Sequence, residues 1–337
     1  MKNRFIPILL GILLMAGIPS ALWSITIKLA SPIPENTEWH NGLLKMADEW
    51  RTISDGKIRL RIYPGTIAGS EGDMVRKMRI GQLDAGIFSA FGMKFMVPET
   101  FVVTLPGLIK NDRELGYVMN NWIGRFDQRF REEGFELMAW TKAGWAYLFG
   151  DMPLVVPEVL QKQVLAIDNT ETEIAAAFKS LGFNVATVSL TEIMVALQSG
   201  YANSLYAPPS AAAAFQWFAL APYMTEYRLA PVVGGIVLSE RTWSRIPVQY
   251  REPMKNAAAK MAKQFQVDSL DLNKKALRIM EKNGLIRVPI NKQEIELWDR
   301  KMLDGHSLIV GDGKSIPLDV YNDLLGQLDE LRENAGE

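Results

Sequence analysis

The sequence predicts an α/β fold built on parallel crossover units. Residues 157–209 carry that prediction, because they read strand, helix, strand, helix, strand. Two parallel strands joined through a helix form a right-handed crossover, and such sheets hold ligands beyond the carboxyl ends of their strands. The rest of the chain continues the alternation of short apolar runs with longer periodic segments. At 337 residues, 48% hydrophobic and 22% charged, it has core enough for one large or two modest domains.

In chain order, residues 1–24 read as an export signal. Lys2 and Arg4 precede an apolar core over residues 5–17, and small residues follow in 19–24. Leu22 and Trp23 are poor cleavage-site residues, and the uncharged run 5–24 is about the length that spans a bilayer. Cleavage is the expectation, with retention as a membrane anchor the alternative. Either way the remainder lies outside the cytoplasm, in the periplasm.

Residues 25–30 alternate and open the sheet. Residues 39–54 show helical periodicity through Leu43, Leu44, Ala47 and Trp50. After the Asp55-Gly56 turn, residues 57–63 alternate basic with apolar side chains, as a half-buried strand at a solvated edge does. A helix continues over 74–80, Gly81–Gly86 turns into another strand, and 101–105 is a β-rich run before Pro106-Gly107. An amphipathic helix is expected over 112–134, with strands at 135–140 and 143–149.

Residues 164–167 form a short buried strand. Asn169 and Thr170 can cap the next helix, with Glu171 and Glu173 in its first turn, where the dipole favours carboxylates. Leu181-Gly182 closes that helix. A strand at 185–188 follows, then a helix that starts at Ser189 or Thr191 and ends at Gly200. An Ala- and aromatic-rich helix is expected over 210–220, a strand over 231–239, a short helix over 240–245 and a long charged helix over 250–283. A strand at 285–290, a helix at 292–303, a Gly-rich loop at 305–315 and a surface helix at 317–331 complete the chain.

The passage FKSLGFNV…TEIMVALQSGYAN resembles the signature of the TRAP-type (tripartite ATP-independent periplasmic) transporter solute-binding proteins, the DctP-like receptors. Leu181, Gly182, Glu192, Ala196, Leu197 and Gly200 fall in place, and Asn203 stands where the family usually has Asp. Ser54-Asp55-Gly56, Tyr63-Pro64-Gly65, Gly69-Ser70-Glu71 and Gly81–Gly86 resemble it too, with Ala68 for the usual Leu. The resemblance implies a two-lobed, periplasmic-binding-protein-like fold with mixed sheets and a long helix packing along both lobes. Lobe I would take 25–140 plus 235–283, and lobe II 141–234 plus 284–310. A C-terminal helix would occupy 311–337.

Receptors of this family usually grip organic acids with arginine. Pro157 and Leu160 anchor the alignment, and the arginine position then reads Ala166. A second arginine position reads Ala146, and a third polar position, usually Asn before Pro, reads Ala207. No Arg occurs between Arg131 and Arg228. Trp145, Tyr147, Tyr206 and Phe215 crowd the same neighbourhood, with Trp39, His40, Phe88 and Phe91 on the first-lobe side. Such aromatics also serve as core. An apolar cleft favours an apolar ligand, and an unpaired carboxylate buried in it costs on the order of several kcal/mol. The expected ligand is therefore a small hydrophobic or amphipathic molecule.

Other chemistry finds little support. The net charge of -1 gives no bulk attraction for nucleic acid or anionic lipid, and the absence of cysteine excludes disulfides and thiolate sites. The histidines, His40 at a helix start and His306 in what reads as a solvated loop, have no companions for a metal site. No metal and no cofactor are expected. Glu192 reads as a helix-surface hydrogen-bonding residue. Residues 311–315 lack phosphate-loop spacing, and the basic strand has no aromatic platform for nucleic acid. Nothing assembles a nucleophile, base and oxyanion site, so no enzyme is expected. The resemblance implies a receptor that hands its ligand to TRAP permease subunits, with a helical-repeat accessory protein as an extension. The alternatives are a stand-alone periplasmic carrier of lipid or other hydrophobic ligands, and a receptor for a conventional organic acid.

Overall fold

A computed structural model of the chain describes residues 24–334. The expected leader falls outside the described residues, apart from Ser24. The strands are β1 (Ile25–Ala30), β2 (Ile58–Tyr63), β3 (Ala85–Ser89), β4 (Phe135–Gly150), β5 (Val164–Asp168), β6 (Asn184–Val188), β7 (Ser204–Ala207), β8 (Tyr223–Thr225), β9 (Ala230–Ser239) and β10 (Ile286–Val288). They join in the order β2-β1-β3-β9-β4-β7-β5-β6, with β8 on β4 and β10 on β8.

The fold is two-lobed and mixed. At one end β1 runs parallel to β2 and β3, and at the other β5 runs parallel to β6 and β7. The antiparallel pair β4 and β9 joins the two ends. The strands expected at 135–140 and 143–149 are one strand of 16 residues. Its register slips at Leu137/Ala139 and at Lys142/Gly144, as β-bulges do when a strand must bend. Gly144 sits there at φ +111, where a side chain would be strained.

The long helix Val248–Lys282 serves both ends. Met254 packs with Ile27 and Trp50 in one core, and Met280 with Phe149 and Leu205 in another. The Trp50 indole donates to the Met254 carbonyl at 3.1 Å. Asn273 donates to the Ala143 carbonyl at 2.8 Å and accepts from the Ser210 amide at 2.9 Å.

Four expectations need correction. The run 101–105 is not extended but lies in a buried 3-10 stretch, Pro98–Thr104. Thr100 and Thr104 turn their hydroxyls back onto the carbonyls of Val97 and Phe101, which favours turns over a ladder. The helix over 112–134 contains a π turn at Val118–Trp122 and a 3-10 turn at Ile123–Arg125, and the Trp122 indole reaches Asp323 at 2.6 Å. The helix over 210–220 stops at Ala214, because Gln216 adopts φ +58 and Trp217 turns into the core.

His306 is the fourth. It ends the helix Lys292–His306 and is buried, not solvated. Nε2 lies 2.8 Å from the Pro106 carbonyl, which can only accept, so this nitrogen carries the proton. Nδ1 then accepts from the Tyr321 hydroxyl at 3.0 Å. Burial holds its pKa down at about 4.

Candidate functional site

A cavity of about 230 Å³ lies between the two ends of the sheet. Its walls come from the carboxyl ends of parallel strands, where crossover folds leave backbone and side chains converging on one crevice. Ser89, Ala90 and Phe91 arrive from the end of β3, Ala166, Ile167 and Asp168 from β5. Tyr206, Ala207 and Pro208 come from β7, and Leu229–Val233 from the start of β9. Ala146 of β4 closes one side, and Ala211, Phe215 and Trp217 another.

Each alanine at an expected ligand-polar position, Ala146, Ala166 and Ala207, borders this cavity, as do Phe91, Tyr206 and Phe215. Trp145 and Tyr147 do not. They flank Ala146 on a strand, and successive side chains point to opposite faces. Behind the strand, the Trp145 indole donates to Asp112 at 2.9 Å, and Arg228 lies over its ring and pairs with Asp112 at 3.1 Å. Phe88 is buried in the core, with its ring where a Cβ on Gly86 would stand. Trp39 and His40 lie farther off, on the helix Glu38–Ile53, where Trp39 packs on Phe265 of the long helix at 4.7 Å. The cavity does not reach any of these.

Charge in the cavity wall is confined to Asp168 and Glu171. Among the described residues that border it there is no Lys, Arg or His. Glu171 is the N-cap of the helix Thr172–Ser180 but makes no side-chain cap bond. Instead its Oε2 accepts the phenolic hydrogen of Tyr206. Burial pushes its pKa up to about 8, with Asp168 and Glu71 adding to the rise and the Tyr206 bond and Lys94 opposing it. Burial, reinforced by Glu171, pushes Tyr206 well above the ordinary phenol range. Glu71 is raised too, chiefly by burial, although it accepts the Ser89 amide and hydroxyl at 2.6 Å each.

The nearest cation is committed elsewhere. Lys94 pairs with Glu173 and reaches the Thr170 carbonyl at 3.5 Å. Glu192 caps its own helix with Ser189, and Asn203 accepts from the Val164 amide at 2.7 Å, which fixes the start of β5. The dipole role expected for Glu171 is thus replaced by a place in the cavity wall. A signal for this exists in the residue order: Asp168 ends a crossover strand and Glu171 opens the helix after it, the segment that faces the crevice.

The profile described as bacterial extracellular solute-binding protein, family 7 (DctP), matches residues 29–307. The chain belongs to this family of extracytoplasmic solute-binding proteins. It is 21% identical over 260 residues to the sialic acid-binding periplasmic protein SiaP of Vibrio cholerae, covering 75% of this chain and 79% of that one. A TRAP periplasmic solute binding protein from Ochrobactrum anthropi superimposes with a TM-score of 0.82 at 20% identity. That match covers 93% of this chain and 97% of the other, whose C-terminus is bound in its ligand-binding pocket. A TRAP periplasmic solute binding protein from Sulfitobacter, with bound β-D-galacturonate, gives 0.76 at 18% identity over 92% and 97% of the two chains. No helix among the described residues is long and apolar enough to cross a membrane.

Proposed function

We propose that this chain is the periplasmic receptor of a TRAP-type transporter that captures a small hydrophobic or amphipathic molecule between its lobes and delivers it to the membrane permease. The lobes are those outlined by the resemblance, 25–140 plus 235–283 and 141–234 plus 284–310. Gly144 lies near their boundary, at the second bulge of β4. Capture is then hinge closure, and the closed form is the one that docks.

One observation supports the ligand class above others: the cavity is lined mainly by Ala, Pro, Ile, Val and aromatic side chains, and its charged groups are acids. Relatives of this chain carry names such as C4-dicarboxylate-binding protein in Bacillus subtilis. A dicarboxylate placed here would meet two carboxyl groups and no cation, at an energetic cost that apolar contact does not offset.

The test is native mass spectrometry on protein refolded from denaturant, offered phenethyl alcohol, malate and glucuronate. Phenethyl alcohol is expected to bind and the two acids are not. Saturable binding of either acid in preference to the alcohol overturns the reading.

A further inference from the structure

We propose that the ligand carries an amine at one end of its apolar body, seated with the ammonium between Glu171 and Asp168. The inference rests on the apolar-cavity reading above and adds the polar end of the ligand to it.

The argument is one of acceptors without donors. Glu171 spends Oε2 on Tyr206, and its Oε1 accepts no hydrogen bond among the described residues. Asp168 spends Oδ1 on the Thr170 amide at 2.9 Å and hydroxyl at 2.5 Å, and its Oδ2 likewise accepts none. Both residues border the cavity. An ammonium supplies three donors and no acceptor, which suits a wall of carboxyl oxygens once Glu171 gives up its own proton to the solvent. A ligand carboxylate supplies only acceptors and adds a like charge.

The surrounding charges agree. The groups that bear on Glu171 are Tyr206, Asp168, Glu71 and Lys94. Of these only Lys94 is cationic, and Glu173 holds it. Closing the lobes on an amine would place its positive charge where the protein has gathered three acids. The rest of the cavity, with Phe91, Ile193, Phe215 and Val233, takes the apolar body.

Protons should follow the ligand. Burial keeps Glu171 protonated up to about pH 8, and an ammonium favours its ionised form, so binding releases a proton. Amine affinity should then rise with pH by up to about tenfold per unit until about pH 8, while that of a neutral analogue stays level.

The experiment compares phenethylamine, phenethyl alcohol and hydrocinnamate, which share an aryl-ethyl body, by titration calorimetry on refolded wild type, Glu171→Gln and Asp168→Asn. Circular dichroism checks that each variant is folded. The expected order on wild type is amine, alcohol, carboxylate. Glu171→Gln should weaken the amine at least about tenfold more than it weakens the alcohol and should abolish the pH dependence of amine binding. Asp168→Asn should weaken the amine in the same direction. Hydrocinnamate binding as tightly as phenethylamine, or Glu171→Gln leaving amine affinity unchanged, overturns the proposal and leaves the apolar receptor standing. Failure of all three probes overturns the apolar-ligand reading, and the amine with it.

Discussion

Tyr206, near the end of β7, donates its phenolic hydrogen to Oε2 of Glu171 at the start of the helix after β5. The bond ties sheet to helix at the wall of the cavity and holds a carboxyl group in an apolar setting. The stability of the unliganded protein should record this. Glu171 has a folded pKa of about 8 against an ordinary 4.5. Between those values the folded state keeps a proton that the unfolded state has lost. This contribution is therefore complete below pH 4.5 and declines as pH rises to about 8. Urea midpoints across the window should fall for wild type and fall less for Glu171→Gln. Parallel slopes would show that Glu171 is ionised throughout.

Ala166 lies on β5, buried, where the cavity begins. An arginine there would thread its side chain into the apolar space and bring a guanidinium toward Asp168 and Glu171. Ala166→Arg is expected to reduce phenethyl alcohol affinity more than about tenfold, and overpacking should cost roughly 1–3 kcal/mol of stability. Calorimetry and thermal denaturation read both. Unchanged affinity would place the ligand elsewhere.

Lys94 follows β3, whereas Glu173 stands in the helix after β5, so their ion pair joins the two segments that bring Phe91 and Glu171 to the cavity. The Lys94 side chain is 7% exposed and that of Glu173 30%. Lys94→Met should speed ligand release about fivefold, equivalent to roughly 1 kcal/mol for a partly solvated charged hydrogen bond. Stopped-flow displacement measures it. A change confined to thermal stability would make the pair structural only.

His306 sets an acid limit on the fold. Its pKa falls from 6.5 to about 4 on burial, so the unfolded chain binds the proton more readily. The contribution is complete above pH 6.5 and is lost as pH falls towards 4, by roughly 3 kcal/mol in all. His306→Gln should flatten that loss in urea titrations. It should also cost roughly 1–3 kcal/mol at neutral pH, because the Pro106 carbonyl and Tyr321 hydroxyl lose their partner. An acid slope that survives the substitution assigns the titration to another group.

Period and punctuation in the sequence determined most of the order of strands and helices, though not β8 or the 3-10 stretch Pro98–Thr104. The crossover units around β5, β6 and β7, the edge position of the basic strand β2 and the length of the helix Val248–Lys282 follow from residues that repeat every second position or every third to fourth. That no Arg occurs between Arg131 and Arg228 is likewise read directly, since a missing side-chain type needs no coordinates to be seen. Facing was another matter. Ala146 meets the cavity while Trp145 and Tyr147 turn away, and Glu171, expected in the first turn of its helix, bonds instead to Tyr206, many residues on in the chain. His306 is buried by Pro106 and Tyr321 from distant segments. Local sequence encodes backbone preference, which is short-ranged. Which side chain reaches which partner depends on segments brought together by packing, and that information exists only once the chain has folded.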